Sequence, residues 1–264
     1  MPIMFQALWR YRQFVFSSIR SEFSSRFARS KLGGLWAIFN PLAQVAIYAL
    51  ILSNIMQARV AGIEGQYAFT IYLSAGMLAW NLFAEIVSRC VNVFIVNGNL
   101  IKKAMFPKIV LPAIAVGSCL LDNIMLFFAI LIIFALVGHL PGISILWLPL
   151  LTLATVALAV GVGLILGIFN VFIRDVGQVV PIVLQILFWF TPIVYPLTII
   201  PESYRGYLHL NPMYPLVSAY QDVLVYGVAP DLTQLLAITA FSIGLMLLGF
   251  ILFTRASEEM ADVL

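Results

Sequence analysis

Charge is scarce in this chain, and so are most of the side chains that enzymes use. Asp, Glu, Lys and Arg together make up 9% of its 264 residues, with two histidines and two cysteines. His139 and His209 lie far apart in sequence, and the patterns HExxH, GxSxG and GxxxxGK[ST] do not occur. Those patterns would supply a zinc site, an activated serine and a phosphate-cradling loop. Their absence gives no catalytic residue, no metal ligand set and no cofactor site, so the chain reads as no enzyme by itself. Whatever energy it uses must come from a partner or from a gradient. Cys90 and Cys119 sit in apolar stretches without a CxxC neighbour, which reads as packing and not as redox or metal chemistry. No internal repeat or low-complexity run interrupts the chain.

What the sequence has in quantity is apolar length. Hydrophobic residues make up 63% and the mean hydropathy is +1.07, far from the roughly half-apolar content of soluble domains. A membrane-crossing helix takes about 20 apolar residues, so six passes fit and a separate soluble domain does not. The spans read as 35–56, 67–96, 109–137, 145–172, 176–200 and 232–254. Of the 14 Lys and Arg, all but Arg59 and Arg205 then fall on one side of the membrane. Cytoplasmic loops carry such an excess, so both termini are expected inside. The net charge of +3 follows from this asymmetry and implies no nucleic-acid partner. No cleavable leader is expected, because the basic segment from Arg10 to Lys31 leads into a full-length span.

Residues 1–33 place Phe16, Ile19, Phe23 and Phe27 at spacings of three and four among several arginines. That pattern predicts an amphipathic helix lying on the inner leaflet with its Arg heads near lipid phosphates. A basic flank that merely sets topology is the alternative, but it needs no periodic apolar face. On span two, Glu85 and Arg89 are four apart in the favourable order for a helical ion pair. On span four, Ala159, Gly163 and Gly167 recur at intervals of four, a face that lets another helix approach closely. Asp122 is the only acid placed deep in the membrane. It suits either a proton relay or a hydrogen-bonded group at a helix interface, and relays usually chain several such groups.

The inner loop 97–108 opens on Asn97-Gly98, closes on Pro107, and spaces Leu100, Ile101, Ala104 and Met105 as a short helix does. A topology-setting loop needs its lysines but not exposed Leu, Ile, Met and Phe, and exposed apolar clusters usually mark a partner. At the outer end, six of the ten tyrosines lie between Tyr195 and Tyr226, just after Phe188-Trp189-Phe190. An interfacial aromatic belt explains them; so does a sugar pathway, where rings stack on C–H faces and hydroxyls bond the sugar oxygens. Residues 201–231 are too polar and proline-broken to span, and read as two short helices dipping into the outer leaflet.

Taken together the chain resembles, over nearly its whole length, the membrane-spanning subunit of ABC-2-type polysaccharide exporters, which move O-antigen, capsule and teichoic acid chains out of bacteria. The marks are Arg29-Ser30-Lys31-Leu32-Gly33-Gly34-Leu35-Trp36 leading to Asn40-Pro41, Asn99-Leu100-Ile101-Lys102-Lys103 with Phe106-Pro107, Arg174-Asp175, Thr191-Pro192-Ile193-Val194-Tyr195-Pro196, and Asn211-Pro212. Their order and spacing carry the likeness; none is specific alone. The resemblance implies an all-α, multi-pass homodimer in the bacterial inner membrane, bound to two separate ATPase subunits that hold ATP and Mg. Its substrate would be a lipid-linked polysaccharide. Asn99, Leu100, Ile101, Lys102, Lys103, Met105 and Phe106 would then form a coupling helix docking on the ATPase, which the amino-terminal helix also faces. Residues 201–231 would form re-entrant gate helices carrying Tyr204, Asn211, Pro212 and Tyr214. A channel lined by spans one and five would present Trp36, Phe188, Trp189, Phe190 and Tyr195. One departure is visible: the family often has a basic residue soon after Asn-Pro, where this chain has Gln221 and Asp222. A drug or small-lipid ABC-2 exporter, a gradient-driven carrier using Asp122 and a membrane-bound glycosyltransferase are the competing readings.

Overall fold

The computed structural model describes residues 6, 9–27, 35–36, 38–40, 42–47, 67–103, 107–257 and 259–263. Among them every regular element is helical. In chain order they are α1 (Arg12–Phe27), α2 (Ala68–Val96), α3 (Gly98–Lys103), α4 (Val110–Val137), α5 (Leu148–Phe172), α6 (Val176–Trp189), α7 (Glu202–Leu208), α8 (Met213–Gln221), α9 (Leu232–Ala256) and α10 (Glu259–Val263). A further helical stretch lies within Ile38–Ile47. The apolar stretches at α2, α4, α5 and α9 are long and apolar enough to cross a membrane, and a 3-10 turn at Ile143–Trp147 extends α5.

At the centre stands α2, packed on α4, α5 and α8, while α5 packs in turn on α9. Small residues set these approaches. A Cβ at Gly163 would sit 2.7 Å from Cys90 Cβ, and one at Gly167 would sit 2.5 Å from the Cys90 carbonyl oxygen. The four-residue face read on span four therefore packs on α2, with Ala159 fully buried. On the opposite side of α5 Gly161 faces α9, where a Cβ would lie 2.7 Å from Met246 N. Both cysteines are buried and free, consistent with packing.

Two elements depart from the sequence expectations. The stretch read as a bent pass over 176–200 is α-helical only as the 14-residue α6, which ends at Trp189, with a single 3-10 turn at Leu197–Ile199. Such a helix covers roughly 21 Å, short of the ~30 Å hydrocarbon layer. Pro181 is carried inside the helix, but Pro192 and Pro196 push their predecessors out of the helical region, and the chain from 190 to 196 runs irregularly. On α1 the face set against the bundle is Val15, Ile19, Glu22 and Phe23, and Phe16 points away at 71% exposed. A charged contact, described below, rotates that helix; Phe27's side chain lies outside the described residues.

Candidate transport path and coupling surface

At the outer end of α6, Thr191, Pro192, Ile193 and Val194 are buried although they form no helix. Irregular backbone at membrane depth survives only where its polar groups find protein partners. Here they do. Tyr72 Oη, from α2, donates to the Pro192 carbonyl at 3.0 Å, and Gln221 Nε2, from α8, donates to the same oxygen at 3.1 Å. Thr191 Oγ1 returns a bond to Leu187 O at 2.7 Å and accepts one from Asn211 Nδ2 at 2.8 Å. Asn211 also accepts from Met213 N at 3.0 Å, which starts α8. Gln221, where the family often has a basic residue, thus serves as a buried neutral donor.

Beyond α8 the chain takes one π turn, Asp222–Tyr226, ended by Gly227 at φ 66°. Its carbonyls are gripped from the α4–α5 loop: Ser144 Oγ donates to Val223 O, and His139 Nε2 lies 3.0 Å from Leu224 O. Burial, with the nearby Asp231 carboxylate second, raises the Asp222 carboxyl from its ordinary value to about 6. Of the residues expected at a gate, Asn211 is a buried anchor and Tyr214 is largely buried, edge-on to His209 at 5.3 Å. Pro212 precedes α8 as its cap position, and Tyr204 on α7 is exposed.

The aromatic residues expected in a channel divide. Phe188 is buried between Trp80, at 5.5 Å, and Trp189, at 5.7 Å. Trp189 and Phe190 are exposed, and Tyr195 donates its hydroxyl to Trp189 O at 2.8 Å. Trp36 is half exposed and meets Phe39 edge-on at 6.4 Å. Trp189 and Phe190 thus stand on the surface of this chain and Trp36 is partly exposed, while Phe188 packs inside.

At the end of the bundle expected to face the cytoplasm, Arg89 gathers three carboxylates from three helices. Its guanidinium reaches Glu85 at 2.9 Å, Glu22 at 2.5 Å and Asp122 at 3.5 Å. Ser118 Oγ donates to the second Glu22 oxygen at 2.9 Å. One turn of α1 away, Ile19 fills the space that a side chain at Gly117 would need. Glu22 and Ser118 are the members that sequence reasoning missed. Asp122, read as either relay or structural, is ion-paired at the edge of this cluster.

A cavity of about 630 Å³ opens beside Arg89 between α1, α2, α3 and α4, and Leu100 lies on its rim. Within α3, Leu100 is 42% exposed while Ile101 is 7% exposed and faces inward. Asn99 is exposed; the side chains of Lys102 and Lys103, and Met105 and Phe106 altogether, lie outside the described residues. Against α3 packs α10, whose Met260 is fully buried, and Lys108 Nζ donates to Ser257 O nearby. No cluster of three or more metal-ligating side chains occurs among the described residues.

Comparison with known proteins places the sequence in a family. A family model described as "ABC-2 type transporter" covers residues 13–225. An O-antigen export system permease protein RfbA of Klebsiella pneumoniae is 29% identical over 244 residues, 90% of each chain. Its namesake from Myxococcus xanthus is 29% identical over 257 residues, 97% of this chain and 96% of the relative. The polysialic acid transport protein KpsM of Escherichia coli is 26% identical over 244 residues, covering 90% and 92%.

Proposed function

Because the chain belongs to the ABC-2 type transporter family, we propose that it is the permease subunit of an ATP-driven exporter of lipid-linked, O-antigen-type polysaccharide. It is a multi-pass protein of the bacterial inner membrane. In the proposed assembly two copies, each of six passes with both termini inside, form the channel, and two separate ATPase subunits hold ATP and Mg. The observation that carries the reading is that similarity to O-antigen export permeases runs along nearly the whole chain.

The geometry supports a division of labour. Leu100 on α3 offers an exposed apolar contact for the ATPase, and α3 rests on the same cavity as the Arg89 cluster. A push on α3 would therefore act on α1, α2 and α4 together. At the other end, 190–226 is held by side-chain donors to backbone oxygens and to the Thr191 hydroxyl, bonds that can exchange one at a time as a gate moves. The ring-lined surface at Trp189, Phe190 and Tyr195 provides stacking for sugar faces. A gradient-driven carrier finds less support, since Asp122 is tied to Arg89.

The test is deletion of the gene with complementation, reading surface polysaccharide, together with ATP hydrolysis by purified protein. Expected are loss of surface polysaccharide with intracellular accumulation, and hydrolysis only when the partner ATPase is bound. Hydrolysis by the chain alone, or unchanged surface polysaccharide on deletion, refutes the reading.

A further inference from the structure

Three uncharged amides converge where span one, α2 and α6 meet. Gln44, Asn81 and Gln185 line one cavity of about 220 Å³, walled by Trp80 and Phe188. Asn81 lies near the middle of the 29-residue α2, so the notch sits at about mid-membrane depth. Its Nδ2 is shut off from solvent and makes no hydrogen bond among the described residues. Gln44 and Gln185 are exposed on the surface of a single copy.

A primary amide carries two N–H donors and an acceptor oxygen. Leaving such a group unmatched in hydrocarbon costs several kcal/mol, so a face with three of them is not one that lipid covers. It borders either water or a polar chain. The flanking side chains offer no charge, and the amides supply donors and acceptors side by side. That pattern matches the vicinal hydroxyls of a neutral sugar ring, with the rings of Trp80 and Phe188 limiting its thickness. Without a fixed charge, each sugar unit is bound and released easily, which a polymer advancing unit by unit requires.

We propose that Gln44, Asn81 and Gln185 form a hydrogen-bonding notch in a water-filled path and read the hydroxyls of uncharged sugar units of the moving polymer. This rests on the polysaccharide reading above and adds to it the polar half of substrate recognition, which the aromatic residues cannot supply.

The test uses the full complex with its ATPase in native membranes. Gln185→Cys and Asn81→Cys are exposed to a water-soluble, membrane-impermeant thiol reagent; Cys90 and Cys119 are buried and give little background. Expected is labelling of both, slowed at least several-fold when polymer is stalled in the path. In parallel, Asn81→Leu and Gln185→Leu keep side-chain bulk and remove the amide. Both should assemble with the ATPase, while pulse-chase export falls about tenfold. Absence of labelling at both cysteines overturns the notch, as does a disulfide linking two copies through Gln185→Cys without labelling. Export at the full rate in both Leu variants, with surface polysaccharide still dependent on the gene, overturns the notch and leaves the polysaccharide reading standing. Labelling that stalled polymer does not slow, in a strain whose surface polysaccharide survives deletion, overturns the sugar assignment together with that reading.

Discussion

Removing the Glu22 carboxylate tests whether α1 is a docked part of the bundle or a helix merely lying beside it. Glu22→Ala deletes the 2.5 Å contact with Arg89 and the 2.9 Å bond from Ser118. Charge-assisted bonds contribute about 1.5–3 kcal/mol each when buried. Glu22 is 37% and Arg89 22% exposed, so solvent screens part of that. Arg89 also keeps Glu85 and Asp122 and is not left as a lone buried charge. We therefore expect about 1–2 kcal/mol less docking energy, a roughly five- to thirty-fold rise in the undocked population. Hydrogen exchange across Arg12–Phe27 in detergent should accelerate by that factor, with α5 and α9 unchanged. Glu22→Gln, which still accepts from Arg89, should fall between. Exchange in α1 identical to wild type in Glu22→Ala would refute the docking argument, because the apolar contact of Ile19 with Gly117 would then suffice alone.

Arg89→Leu, in contrast, strands Glu22, Glu85 and Asp122 without their cation; it should cost about 3–5 kcal/mol and show as loss of folded protein by size-exclusion chromatography. Gly167→Ala puts a Cβ 2.5 Å from a backbone oxygen, so we expect about 1–3 kcal/mol of destabilisation and a lower Tm in detergent. Leu100→Asp should leave the permease folded but uncouple ATP hydrolysis from export, whereas Ile101→Asp, at a buried site, should lower the yield of folded protein; the pair is read by export assay and fluorescence-detected chromatography. Asp222 is raised in the folded state from 3.8 to about 6, so its contribution to stability is full below about pH 4 and is lost as pH rises to about 6; Asp222→Asn should remove that part of the pH dependence of thermal unfolding.

What the sequence discloses here is mostly what lies within a few residues. The Glu85–Arg89 pair and the Gly163–Gly167 face are set by helical spacing, and both are present as read. Glu22 is 67 residues from Arg89, and His139 is 85 from Leu224; periodicity says nothing about contacts so far apart in the chain. The same distance effect explains the end of α6. Three prolines read as bends in a continuing span, because a broken helix in hydrocarbon appears too costly from local sequence alone. Tyr72 and Gln221 remove that cost by donating to Pro192 O, and neither announces the role in its own surroundings. The amides at 44, 81 and 185 escaped notice for a related reason. Charges stand out first among apolar spans, and Asp122 is the deepest of them, yet an unmatched neutral amide is also expensive in hydrocarbon. Asp122 has an oxygen paired with Arg89, whereas Asn81 Nδ2, like Thr239 Oγ1, is buried with no hydrogen-bond partner among the described residues; the burial of the amide is still unbalanced, so its surroundings must contain something polar.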